Sequence, residues 1–171
     1  MQDIAEEIAG EWLRFIKRCE FVEYNTRELE GKDKNQTEID VIALNIHTKE
    51  IYICEVAAHV RGLNYGNKTQ KKLSDKFNKA KIFTQKHYDN FTCHYMLWSP
   101  FVKPTPLQLV KDIKDYFLKE HNIELELVIG EYFRQKIEDL RQIAQKTKKD
   151  LRKFPVLRYL QIEEHLKTPR K

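Results

Sequence analysis

Two acidic residues interrupt otherwise apolar segments of the sequence. Asp40 lies in EIDVIALNI (residues 38–46), and Glu55 lies in EIYICEVAA (residues 50–58). Both segments are rich in Ile and Val, which is typical of strands covered on both faces. The short link HTK between them predicts a hairpin. An acidic side chain in such a strand is costly without a partner, so both residues are candidates for chemistry.

The predicted hairpin places the two acidic residues opposite each other. A tight turn near His47 and Thr48 makes paired residue numbers sum to about 95, so Asp40 should face Glu55. Facing carboxylates repel, and a hard divalent cation removes the repulsion, because Mg²⁺ favours one or two carboxylates plus water. The pattern predicts a site for Mg²⁺ or Mn²⁺. A register shifted by one or two residues would instead let both carboxylates reach solvent.

Strand alternation adds a histidine to the candidate site. Residues two apart on a strand project from the same face, so Glu55, Ala57 and His59 share one face. Glu38 and Asp40 do the same on the partner strand. His59 is therefore a candidate catalytic residue, since imidazole is a common acid or base. Its alternative role is a strand-end histidine bonded to backbone.

Hydrophobic periodicity predicts the elements that position these residues. Ile8, Trp12 and Phe15 recur at helical spacing and predict a first helix over residues 2–18. The other predicted elements are a strand at 20–26, a polar and candidate mobile loop at 28–37, a basic helix at 68–86, a strand at 91–98, a helix that begins near Pro104, a strand at 123–129, and helices at 131–149 and 155–166. The order αβββαβαβαα predicts an α/β or α+β fold, with helices on both faces of a mixed central sheet.

Length and composition favour one folded domain over residues 1–171. Hydrophobic residues make up 41% of the 171 residues and charged residues 33%, which is typical of a globular protein. The acidic start and the lack of a long apolar run predict a cytoplasmic protein without a membrane span. The odd number and wide spacing of Cys19, Cys54 and Cys93 exclude a disulfide framework and predict reduced, mostly buried thiols. Nucleotide-loop, hydrolase-elbow and zincin motifs are absent from the sequence.

The charge of the chain leans towards a polyanionic partner. The formal net charge is +5, which is compatible with nucleic-acid binding and also with an ordinary basic protein. The cations concentrate in three runs, at 68–86, 141–153 and 167–171. Such runs are often solvated helix faces.

The string TEID, a hairpin and then IYICEVA resemble the core motif of the PD-(D/E)XK nuclease superfamily, in which an Asp on one strand is followed by Glu-x-Lys on the next. The restriction-endonuclease-like core of that family is an αβββαβ unit, which residues 2–98 follow, with 104–167 as C-terminal additions. The resemblance implies hydrolysis of DNA phosphodiester bonds with Mg²⁺ or Mn²⁺, at metal ligands Asp40 and Glu55.

The resemblance also implies a supporting carboxylate on the first helix. By its spacing, Glu7 is similar to the metal-directed Glu that family members often carry there. The alternative is that Glu7 belongs to an exposed helix face. Glu6 and Glu11 lie on the same predicted helix.

The sequence departs from the family motif at Ala57, where the family has its lysine. That lysine steers the attacking water and stabilises developing phosphate charge, so its loss without replacement should be severe. The candidate replacements are His59, on the same strand face, and four cations from the loop and helix that follow: Arg61, Lys68, Lys72 and Lys76.

Three functions remain open from the sequence. The first is a metal-dependent deoxyribonuclease, in which the basic runs 68–86 and 141–153 would line the groove that holds the DNA backbone. Paired cuts on a duplex would favour a homodimer by symmetry. The alternative is a nuclease-fold protein that has lost catalysis and acts as a nucleic-acid-binding or assembly subunit, as Ala57 suggests. A protein-binding module with incidental basic charge is a third reading.

Overall fold

The protein is built on one five-stranded mixed sheet between two layers of helices. The computed structural model describes residues 3–27, 38–58, 69–100 and 104–167. The elements in chain order are α1 (Ile4–Phe15), β1 (Phe21–Arg27), β2 (Glu38–Asn45), β3 (Glu50–Val56), α2 (Thr69–His87), β4 (Thr92–Ser99), α3 (Pro104–His121), β5 (Leu125–Ile129), α4 (Glu131–Lys146) and α5 (Pro155–Lys167). The predicted order αβββαβαβαα and the mixed α and β class are confirmed. The predicted loop 28–37 and His59 lie outside the described residues.

The sheet has the strand order β1-β2-β3-β4-β5. β1, β2 and β3 pair as an antiparallel meander, and β4 and β5 add as parallel strands. The pairs from Val41↔Cys54 to Asn45↔Glu50 confirm the predicted β2–β3 register. Parallel pairs need crossover connections, which α2 and α3 provide. The ladder ends at Val41↔Cys54, and continuing the same register by one position would place Asp40 opposite Glu55.

Two hydrophobic cores lie on opposite faces of the sheet. The face covered by α1, α4 and α5, here the α1 face, carries Ala43, Cys54 and Trp98. The face covered by α2 and α3, here the α2 face, carries Ile53 and Leu97. Strand alternation puts Glu55, which follows Cys54, on the α2 face.

Other sequence predictions are confirmed at the level of whole elements. α1 begins two residues later than predicted because Asp3 caps it, with the Ala5 N–H donating to Asp3 Oδ1 at 2.8 Å, and it ends three residues earlier, at Phe15. β3 ends at Val56, two residues before the predicted end. The three cysteines are free, and Cys19 and Cys54 are buried. None of the described helices is long and apolar enough to cross a membrane.

Glu11 ties α1 to the start of α5. Its buried carboxylate accepts the backbone N–H groups of Val156 at 2.9 Å and Leu157 at 2.8 Å. Burial raises the pKa of Glu11 to about 7, although both backbone hydrogen bonds favour the ionised form. The side chain satisfies backbone donors that a helix N-terminus otherwise leaves unpaired. The C-terminal helices are thereby fixed to the first one.

Replacing Glu11 with Ala should destabilise the fold, because two buried N–H groups would lose their acceptor and a cavity would form. We expect a loss of about 2–4 kcal/mol in the free energy of unfolding, measured by chemical denaturation. Glu120→Ala is the matched control, since Glu120 is an exposed glutamate within α3. Equal effects of the two substitutions would show that the Glu11 contacts contribute nothing.

Candidate functional site

Asp40 and Glu55 come together where the β2–β3 ladder ends. Asp40 Oδ2 accepts the Val56 N–H at 2.7 Å. The carboxylate thus replaces the backbone carbonyl that would accept this N–H if the ladder were longer. The carboxyl groups of Asp40 and Glu55 are within hydrogen-bonding reach of each other. Both residues are buried, with exposed fractions of 9% and 5%. The register prediction therefore holds, and the alternative in which both carboxylates simply reach solvent is wrong.

A lysine from α2 faces this carboxylate pair. The Lys76 ammonium forms an ion pair with Glu55 Oε1 and lies 3.9 Å from Asp40 Oδ1. Leu73 and Phe77 bury the adjacent face of α2 in the core, which fixes the direction in which Lys76 points. Of the candidate replacements for the motif lysine, Lys72 and Lys76 lie in the described residues, and Lys76 contacts the site. Lys72 is exposed on α2, and Arg61 and Lys68 lie outside the described residues.

Ala57 occupies the position of the motif lysine and is buried within the core. Its N–H donates to the Trp98 carbonyl at 2.8 Å, and its carbonyl accepts the Ser99 hydroxyl at 2.8 Å. The Ala57 side chain is 1% exposed within the core of the α2 face. α2 packs against Ala57 on this face of the sheet, and the same helix carries Lys76.

Glu55 has an unusual affinity for its proton. The pKa of Glu55 is raised to about 8, mainly by burial and also by the neighbouring Asp40 carboxylate, while Lys76 opposes the rise. One ammonium therefore does not fully offset the burial of two carboxyl groups. A strongly shifted acid beside a specific charge partner is characteristic of functional sites.

Glu7, the predicted supporting carboxylate, faces β1. Its Oε2 accepts the Tyr24 hydroxyl at 3.2 Å. The structure therefore gives Glu7 a partner on the strand rather than in the Asp40–Glu55 pair.

The neighbouring Glu6, unlike Glu7, interacts with groups next to the Asp40–Glu55 pair. Glu6 Oε2 accepts the amide of Asn25 at 3.1 Å. Asn25 has a φ of 51°, and its place in the β1–β2 register is opposite Asp40. Burial raises the pKa of Glu6, and the charge of Asp40 adds to that shift. Sequence spacing missed Glu6, although an asparagine within a strand pattern was a signal of the local distortion that brings the two together.

The donor set suits a hard cation, although it is incomplete for one. Asp40 and Glu55 offer the carboxylate oxygens that Mg²⁺ and Mn²⁺ prefer. Among the described residues, no group of three or more His, Cys, Asp or Glu side chains is arranged to hold a metal. A cavity of about 10 Å³ adjoins Glu55, Lys76 and Glu38, which is about the room of one water.

The second basic run lies away from the site. Arg141 of α4 contacts Glu163 and Glu164 of α5, which holds these two helices together. α4 covers the α1 face, whereas Lys76 and the basic helix α2 cover the other face. The expectation that the runs 68–86 and 141–153 line one groove with the site is wrong for Arg141, which supports the fold.

The shifted pKa of Glu55 predicts a pH-dependent stability. The folded protein holds this proton up to about pH 8, against an ordinary pKa of 4.5. The contribution is therefore complete below about pH 4.5 and is lost as the pH rises towards 8. We expect the wild-type free energy of unfolding to fall, relative to Glu55→Gln, by a few kcal/mol across this window. Parallel curves for the two proteins, from denaturation between pH 4.5 and 8.5, would contradict the shift.

Comparisons with known proteins do not assign this chain to a family. No protein-family model matches the chain, and no curated protein matches it. A fold alone does not define an activity, so the geometry around Asp40, Glu55 and Lys76 carries the functional argument.

Proposed function

We propose that the chain is a divalent-metal-dependent nuclease with a restriction-endonuclease-like core, and that it hydrolyses phosphodiester bonds of DNA. The observation that carries the proposal is the ammonium of Lys76 beside the buried carboxyl groups of Asp40 and Glu55. The segment α1β1β2β3α2β4 also follows the αβββαβ order of that core. A carboxylate pair and a lysine are the side chains that this reaction needs.

Each side chain has a separate role in the proposed reaction. Asp40 and Glu55 would hold the cation, which when bound supplies an activated water and polarises the scissile phosphate. Lys76 would orient the water and stabilise the charge that develops on the phosphate oxygens, as the motif lysine does elsewhere. Glu6 would complete the set in place of Glu7, because it is the α1 carboxylate coupled to Asp40.

The outer face of α2 would attract the nucleic-acid backbone. Lys72, Lys79 and Lys86 are exposed and follow one another at intervals of seven residues. This spacing puts them on one side of the helix, about 10 Å apart. Lys76 lies on the same helix between the first two, so the row passes the site. Attraction of this kind depends on salt and not on base sequence.

Removal of Lys76 tests the proposal directly. We expect Lys76→Ala to lower the rate of Mg²⁺- or Mn²⁺-dependent cleavage of plasmid DNA by about 10²–10³-fold, because a preorganised positive charge would be lost. Lys71→Ala is the matched control, since Lys71 is an exposed lysine of the same helix. Cleavage that survives in Lys76→Ala but not in Glu55→Ala would keep the nuclease and remove the role of Lys76.

Metal binding distinguishes the two neighbouring glutamates of α1. Mn²⁺ should raise the melting temperature of the wild-type protein, and Asp40→Asn should abolish the rise. We expect Glu6→Gln to weaken Mn²⁺ binding about tenfold or more, and Glu7→Gln to leave it nearly unchanged. If Glu7→Gln weakened Mn²⁺ binding and Glu6→Gln did not, Glu7 would be the supporting carboxylate. The affinities can be measured by titration calorimetry.

A second candidate is a nucleic-acid-binding subunit without catalysis. The observation that favours it is that Lys76 already compensates part of the charge of Asp40 and Glu55. A retired site would keep this ion pair for stability. Intact DNA binding without cleavage of supercoiled, linear or single-stranded DNA in Mg²⁺ or Mn²⁺ would select this candidate over the nuclease.

A further inference from the structure

A second cleft lies at the opposite end of the sheet from Asp40 and Glu55. β4 begins at Thr92, but β5 pairs with it only from Tyr95, which is opposite Leu125. The missing strand length leaves a cleft of about 760 Å³ between α3 and α4, a volume typical of small-molecule sites. The β3–β4 register places Thr92 beside Glu50, five residues before Glu55, which is about 16 Å along the strand.

Part of the wall of this cleft is fixed by contacts within the protein. The His94 ring stacks on Tyr52 with 4.7 Å between ring centroids, and its Nε2 lies 3.1 Å from Glu50 Oε1. Lys136 lies over the Trp12 ring at 4.0 Å and pairs with Glu126 at 3.5 Å. These side chains shape the cleft, and their polar groups already have partners within the protein.

Three other side chains of the cleft have no such partners. Lys114 of α3 is half-buried, and Glu124 is exposed. Within the described ranges, neither forms an ion pair or a side-chain hydrogen bond. The ring of Tyr132 on α4 is 63% exposed. A cation, a hydrogen-bond acceptor and a planar surface are thus available in one concave space. A partly desolvated ammonium favours an anionic partner.

We propose that this cleft binds a nucleoside phosphate. The phosphate would pair with the Lys114 ammonium, the planar base would stack on Tyr132, and the ribose hydroxyls would donate to the Glu124 carboxylate. A simple anion would use Lys114 but leave Tyr132 and Glu124 without a role. This site is independent of the proposed nuclease centre, since it shares no residue with it.

The test is calorimetric titration of the full chain with AMP, GMP, CMP and UMP in metal-free buffer. We expect at least one nucleotide to bind, and Lys114→Ala to weaken its binding at least tenfold. Lys111→Ala is the matched control, because Lys111 is an exposed lysine one turn earlier on α3. Tyr132→Ala should weaken binding, whereas Tyr132→Phe should keep it. Adenosine without phosphate and inorganic phosphate alone should each bind at least tenfold more weakly than the nucleotide.

Several outcomes would overturn the proposal. One is the absence of binding by all four nucleotides at millimolar concentration. Another is binding that Asp40→Asn removes but Lys114→Ala does not, which would place the nucleotide in the carboxylate site. Inorganic phosphate that binds as tightly as the nucleotide would reduce the cleft to an anion site. The two proposals fail separately, because the effect of Lys76→Ala on DNA cleavage says nothing about nucleotide binding in the cleft.

Discussion

The arrangement at the end of the central strands depends on how the charges of Asp40, Glu55 and Lys76 compensate one another. Removing two carboxylates from water is costly, and breaking such a group by removing one member is costlier still. Among the described residues, one ammonium faces the two acids, so the group keeps an excess of negative charge when both are ionised. Burial is the main cause of the high pKa of Glu55, and the negative charge of Asp40 adds to it. A proton or a cation can relieve this excess of negative charge.

This constraint makes the position of α2 as important as that of the strands. Lys76 reaches Glu55 because Leu73, Phe77 and Ala80 bury the inner side of α2 against the sheet. A charge delivered by a helix depends on the docking of that whole helix. A lysine on β3 would depend only on the local strand. The sequence of β3 alone, with Ala57 in the motif position, therefore understates what the folded site contains.

The parts that sequence could predict are those set by local geometry. The short link between the two predicted strands, which is residues 46–49 in the structure, set the β2–β3 register and with it the meeting of Asp40 and Glu55. The choice of Lys76 among four cations could not be made, because it depends on how α2 turns about its axis when it packs. Glu6 and Glu7 present the same difficulty. Adjacent residues of a helix point about 100° apart, so the rotation of α1 about its axis decides whether Glu6 or Glu7 meets Asn25. The contact of Glu11 with α5 helps to set that rotation.

That contact changes the status of the C-terminal third of the chain. Sequence order alone makes α3, β5, α4 and α5 additions to a core that ends at β4. In the structure, α4 and α5 share the α1-face core with α1, and Glu11 is held by the first backbone groups of α5. α1 in turn carries Glu6 towards Asn25 and Asp40. The C-terminal helices therefore belong to the framework that positions the carboxylates, and a protein that ended after β4 would lack the support that holds α1 in place.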